Sequence, residues 1–169
     1  MNRVGDDLLL DALSRQEDYL HASSDAIDVK ASAILAAAAF LAVQPAVLLI
    51  VEHIPFTVFV MQLVSFIFLC FSVWCAHQAL SIQKFPLPGF SETWRDEQIA
   101  AATPDATEED VRKTLLWGLI DQARTRVAQI QLLNDKKLNF VANARIFVTI
   151  SLVVNVVIVL IILGSRPWV

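Results

Sequence analysis

Glycine is scarce in this chain, with four in 169 residues, and none lies near enough to another to build a loop that cradles a phosphate. No Cys-x-x-Cys pair and no Gly-x-Ser-x-Gly elbow occurs, and the three histidines, His21, His53 and His77, are dispersed. The expectation is therefore a protein with no catalytic residues, no metal and no cofactor, and so not an enzyme. A surplus of positive charge is also missing. Thirteen Lys and Arg stand against 17 Asp and Glu, a net charge of −4, which argues against a nucleic-acid polymer as partner. The two cysteines, Cys70 and Cys75, lie inside one apolar run, where the thiol acts as a small hydrophobe rather than half a disulfide. A secretory signal would need a basic and then an apolar stretch at the start. Met1 to Ala22 instead carries Asp6, Asp7, Asp11, Glu17 and Asp18, so the amino terminus is expected to remain on the mature protein.

What the chain has in abundance is apolar surface. Hydrophobic residues make up 56%, charged residues 18%, and the mean hydropathy is +0.58. Three stretches, between Lys30 and Glu52, His53 and His77, and Arg145 and Arg166, contain no charged side chain or His and run roughly 20–23 residues each. A helix of that length crosses a hydrocarbon core about 30 Å thick. In a bilayer the backbone must satisfy its own hydrogen bonds, so such runs become helices unless they alternate as barrel strands do. A soluble bundle is the competing reading, but its helices would need polar faces that these runs lack. The expected fold is an all-α membrane protein with three transmembrane helices and a helical cytoplasmic part, the third span continuous with a long cytoplasmic helix.

The expected organisation is a cytoplasmic amino-terminal helix (1–28), a first span (29–51), a second span (56–78), a cytoplasmic segment (81–144) with a long helix from about residue 108, a third span (145–164) and an external tail (165–169). Glu52-His53-Ile54-Pro55 is short enough to force an antiparallel hairpin. That loop has no Lys or Arg, whereas Ser81 to Arg145 carries Lys84, Arg95, Arg112, Lys113, Arg124, Arg126, Lys136, Lys137 and Arg145. The positive-inside rule then places this segment and the amino terminus in the cytoplasm and the carboxyl terminus in the periplasm of an inner membrane.

Within this frame, Leu9, Leu13, Gln16 and Leu20 give the amino-terminal segment a helical stripe. Pro86, Pro88, Gly89 and Pro104 make the stretch before Thr107 irregular, apart from a short helix from Ser91 to Ala102 capped by Ser91. Thr107 and Asp110, with Glu108 and Glu109 between them, have the pattern of a capping box at a helix amino terminus. No proline follows until Pro167, and Leu116, Ile120, Ala123, Val127, Ile130 and Val141 continue at helical spacing, so one helix is expected throughout. Its roughly 30 residues before the bilayer would span about 45 Å.

Two groups of residues carry the functional reading. At the approach to the first span, Asp25, Asp28 and Lys30 form a polar cluster whose aspartates have Lys136, Lys137 and Arg145 as candidate partners on another helix; hydration at headgroup level is the alternative. Lys137 and Asn143 belong to the same cluster. In the cytoplasmic segment, Trp94, Arg95, Arg112, Lys113, Trp117, Arg124 and Arg126 combine stacking surfaces with cations suited to a base and a phosphate, although topology alone also selects cations there. Ser32, Ala36, Ala37, Ala38, Ala39 and Ala42 should let the first span sit against protein over much of its surface. Gln44, Gln62, Thr149, Ser151 and Asn155 place polar groups at membrane depth, where they either bond between helices or line a wet passage, and Pro45 can kink the first span. Three helices enclose too little space for a pore, so a channel would require a homo-oligomer.

Two segments give the chain a family likeness. The run Asp25-Ala-Ile-Asp28-Val-Lys30-Ala-Ser-Ala-Ile-Leu35 resembles the Asp-x-Lys-Ala lead-in to the first span of the Pycsar membrane effectors of bacterial antiphage defence, themselves akin to SLATT-type membrane effectors. The helix from Ile130 to Phe147, with Lys137 and Asn143-Ala144, is similar to that family's cationic helix leading into the last span; Gln129, Gln131 and Asn134 occupy polar positions where the family usually has a Ser. The resemblance implies an effector that senses cyclic CMP or cyclic UMP made by a partner pyrimidine cyclase and impairs the inner membrane, ending in abortive infection. The alternative is a constitutive oligomeric channel or structural membrane subunit with no nucleotide ligand.

Overall fold

The computed structural model describes residues 3–48, 55–82 and 107–164, and these are helical almost throughout. They form α1 (Arg3–Leu48), α2 (Phe56–Ser81) and α3 (Glu108–Gly164). Each contains a stretch long and apolar enough to cross a membrane; over the described residues the fold is all-helical, that of a multi-pass membrane protein. The hairpin residues 52–54, the short helix expected from Ser91 to Ala102 and the tail 165–169 lie outside the described residues.

α3 begins where the capping pattern places it. The Thr107 hydroxyl donates to the Asp110 carboxylate at 2.6 Å, the Asp110 backbone N–H reaches the Thr107 hydroxyl at 3.3 Å, and the Thr107 N–H reaches back to that carboxylate at 3.3 Å. Donors that a helix amino terminus would otherwise leave open are thereby satisfied. The helix then runs 57 residues without interruption.

α1 takes in both the expected amino-terminal helix and most of the expected first span. A separate amino-terminal helix and a first span are one helix of 46 residues. The charges at Asp25, Asp28 and Lys30 read as a boundary in sequence, but no helix breaker lies between Gly5 and Pro45, so nothing interrupts the backbone ladder there. Pro45 itself lies inside α1, which continues to Leu48.

The chain divides into two compact units. In the first, built from Met1–Ser24 and Gln83–Asn134, the amino-terminal part of α1 packs along α3 through Leu13, Ile120, Ala123 and Val127, flanked by Leu9, Leu10, Leu20 and Leu116. Gln16, expected on this stripe, is exposed, and Glu17 is half-buried in its place. The Glu17 carboxylate lies 3.8 Å from the Arg126 guanidinium, and Asn134 Nδ2 donates to the Leu20 carbonyl at 2.8 Å.

In the second unit, from Asp25–Ile82 and Asp135–Val169, three helices pack together. Ile27 and Ala31 meet Ala79 and Val141; Ala38 and Leu41 meet Leu69; Ala144 meets Cys75 and Ala76. These contacts make α2 antiparallel to both α1 and α3. Phe147 sits between Phe68 and Phe71, with ring centroids 6.1 and 5.8 Å away, and Trp74 packs edge-on to Phe140. Of the small residues expected to face protein on α1, only Ala38 is buried; Ser32, Ala36, Ala37, Ala39 and Ala42 are exposed on this chain. One helix stripe faces the other two helices, and it passes through Ile27, Ala31, Ile34, Ala38 and Leu41.

Spacing explains how the helices stay paired within each unit. Interior positions step by three and four alternately: 58, 62, 65, 69, 72, 76 and 79 on α2, and 120, 123, 127, 130, 134, 137, 141 and 144 on α3. A repeat of about 3.5 residues keeps a seam facing its neighbour if the helices wind gently left-handed.

Candidate functional site

The ion pair Asp28–Lys137 lies inside the second unit. Lys137 Nζ is 2.7 Å from one oxygen of the Asp28 carboxylate and donates to the other at 3.0 Å. The Lys137 side chain is 3% exposed and that of Asp28 30%. Lys137 occupies an interior position of the α3 repeat, so its charge is fixed among packed side chains and needs a carboxylate close by. Of the three cations weighed as partners, the helix register selects Lys137, because Lys136 and Arg145 lie one residue off the interior stripe and are exposed. Asp25, Lys30 and Asn143 are exposed as well. The Ser32 hydroxyl turns back to the Asp28 carbonyl at 2.9 Å.

A second polar group lies deep in the apolar stretches of α2 and α3. The Ser65 and Ser151 hydroxyls are 2.7 Å apart, and Asn155 Nδ2 donates to Ser65 Oγ at 2.8 Å and to the Ser151 carbonyl at 2.9 Å. Two turns along α2, the Ser72 hydroxyl donates to the Ala144 carbonyl at 2.9 Å. All four side chains are buried. Each interhelical bond of this kind contributes about 0.6 kcal/mol, up to ~1.7. Ser65 and Ser72 were not singled out in the sequence, since serine in an apolar helix commonly bonds its own preceding turn. Their interior position in the α2 repeat was the available signal. Thr149 does take that local route, donating to the Arg145 carbonyl at 2.8 Å.

Gln62 differs from its neighbours. Its amide nitrogen and oxygen are both sealed from solvent without a hydrogen-bond partner. An amide buried so costs about 1–3 kcal/mol in a protein interior and more in hydrocarbon.

Among the described residues, those expected to hold a base and phosphate do not gather on one face. At about 100° per residue, Arg112 and Arg126 share one side of α3, while Trp117 and Arg124 lie about 140–160° around it. Arg126 is half-buried beside Glu17. Arg112, Trp117 and Arg124 are exposed, and Lys113 lies on the Trp117 side, 3.6 Å from Glu109 on its own helix. Trp94 and Arg95 lie outside the described residues, as does the Gln44 side chain.

No family model, curated protein or solved structure matches the chain.

Proposed function

We propose that this protein is a membrane effector of bacterial defence that responds to a cyclic pyrimidine mononucleotide and impairs the inner membrane. The observation that carries the reading is the Asp28–Lys137 pair at 2.7 Å. It joins Asp25–Leu35 to Ile130–Phe147, the two segments on which the likeness to the Pycsar membrane effectors rests, so they act as one structural feature. The proposed topology has the amino terminus and residues 81–144 in the cytoplasm, where nucleotide is made, with several copies associating in the bilayer.

In this reading the exposed Trp117–Arg124 face offers an aromatic surface for a pyrimidine base and a guanidinium for the cyclic phosphate. Arg126 serves packing instead, through Glu17. The nucleotide must bind two arrangements of the helices with different affinity, because equal affinity shifts no population. The unbroken α3 supplies a covalent link between the two ends of that coupling.

The test is dye leakage from liposomes containing the purified protein. Cyclic CMP or cyclic UMP is expected to start leakage that cyclic AMP does not. Leakage indifferent to the nucleotide would replace this reading with a constitutive channel, and absence of leakage under all conditions would remove both.

A further inference from the structure

The orphaned amide of Gln62 lies on the protein-facing side of α2. It falls between Val58 and Ser65 in the interior repeat, both fully buried, while the adjacent Leu63 and Val64 are exposed on the opposite side. Residues three apart on a helix are neighbours on its surface, so Gln62 holds the interior position next along α2 to Ser65, which bonds Ser151 and Asn155. Two hydroxyls and two primary amides have more donors and acceptors than the bonds among them use. A buried water needs two to four such partners, and an apolar cavity offers none.

We propose that Gln62, with Ser65, Ser151 and Asn155, forms an internal binding site for water at bilayer depth, and that the α2–α3 seam containing it is the path by which the membrane part leaks. The second half rests on the membrane-impairing reading; the first does not. Gln62, Ser65 and Ser72 set polar groups along about 15 Å of α2, half the thickness of a hydrocarbon core of about 30 Å. Ser151 and Asn155 meet Ser65 from α3, and the Ala144 carbonyl of α3 meets Ser72. Val58 and Leu69 occupy the same interior repeat of α2, and they and Ile158 of α3 are buried; apolar side chains at such positions exclude water until the helices part. The seam is thus sealed at rest and already polar where it would open.

Two measurements on the full chain in liposomes test this. In solid-state NMR with glutamine side chains labelled, the amide signal lost in Gln62→Leu should receive magnetisation from water; a signal that receives none overturns the water site. In nucleotide-evoked leakage, Gln62→Glu should raise and Gln62→Lys lower the preference for cations over anions severalfold, whereas the same changes at Leu63, exposed on this chain, should not. Unchanged selectivity in both overturns the path while leaving the effector reading intact. If the charged variants lose helicity, Gln62→Asn and Gln62→Leu serve in their place: leakage kept by Asn and lost by Leu supports the path, and equal leakage overturns it. Should the native protein not leak with either nucleotide, the effector reading and the path fall together, and the NMR result alone decides the water site.

Discussion

Lys137 has the most demanding position of any charged side chain described, an ammonium 3% exposed at an interior site of a helix otherwise lined there by Ile, Ala, Val and Asn. Its partner is more accessible, and this asymmetry yields a prediction. Asp28→Ala takes a carboxylate from a buried cation and should destabilise the protein by about 2 kcal/mol, below the ~3–5 of a fully buried pair because Asp28 is partly hydrated. Lys137→Ala leaves a carboxylate that water can reach and should cost less. Unfolding of the single variants in detergent micelles, beside the swap Asp28→Lys with Lys137→Asp, measures the difference. Equal losses from the two alanine variants would show that burial of Lys137 does not govern the pair. The sequence named Asp28 and Lys137 correctly as possible partners but could not choose Lys137 over Lys136 or Arg145. That choice depends on which face of α3 is interior, a property of packing.

At the scale of the element, much was legible because it is local. The three apolar runs become helices, and Thr107 to Asp110 starts α3. The hydrogen bonds from Thr107 hold the Asp110 carboxyl below its ordinary pKa, chiefly through the hydroxyl and then the backbone N–H, with Lys113 adding a smaller effect. A carboxyl with a lowered folded pKa contributes stability that is complete above its unfolded pKa of about 4 and lost as pH falls through the lower folded value. Amide exchange in the first turn of α3 should therefore accelerate as pH drops below about 4, once corrected for intrinsic rates. Thr107→Ala should accelerate it about fivefold at neutral pH, the equivalent of a lost amino-terminal cap. A first turn that exchanges identically in both proteins would show that the box does not hold it. Less legible was the step of three and four that runs along each helix, because Glu17, Ser24, Gln62, Ser65, Asn134 and Lys137 interrupt its apolar character. Polar side chains occupy interior positions there by finding partners on another helix, which the one-dimensional pattern does not display. Within the first unit Glu17 of α1 meets Arg126 of α3, and within the second Asp28 of α1 meets Lys137 of α3, so in each unit an acid on α1 answers a base on α3.

For the whole molecule, orientation in the bilayer is the property on which the functional reading most depends. A nucleotide made in the cytoplasm can reach Trp117 and Arg124 only if residues 81–144 lie on that side. The distribution of cations is the physical reason to expect it, since nine Lys and Arg lie between Ser81 and Arg145 and none between Glu52 and Pro55. Lys113 is well exposed and reports the location of its segment directly. A membrane-impermeant amine reagent should label it in inverted inner-membrane vesicles and not in intact spheroplasts, with Lys113→Arg identifying its signal. Labelling in spheroplasts would place the Trp117–Arg124 face away from the cytoplasm and exclude a cytoplasmic nucleotide as its ligand, without altering the helix packing. Moving the cations offers the reciprocal check. Adding two or three lysines to the 52–55 connection should produce a fraction of molecules of opposite orientation, because the bias is set by charge near the ends of the spans. In that fraction Lys113 becomes accessible from outside, and the response to internal nucleotide should fall in the same proportion.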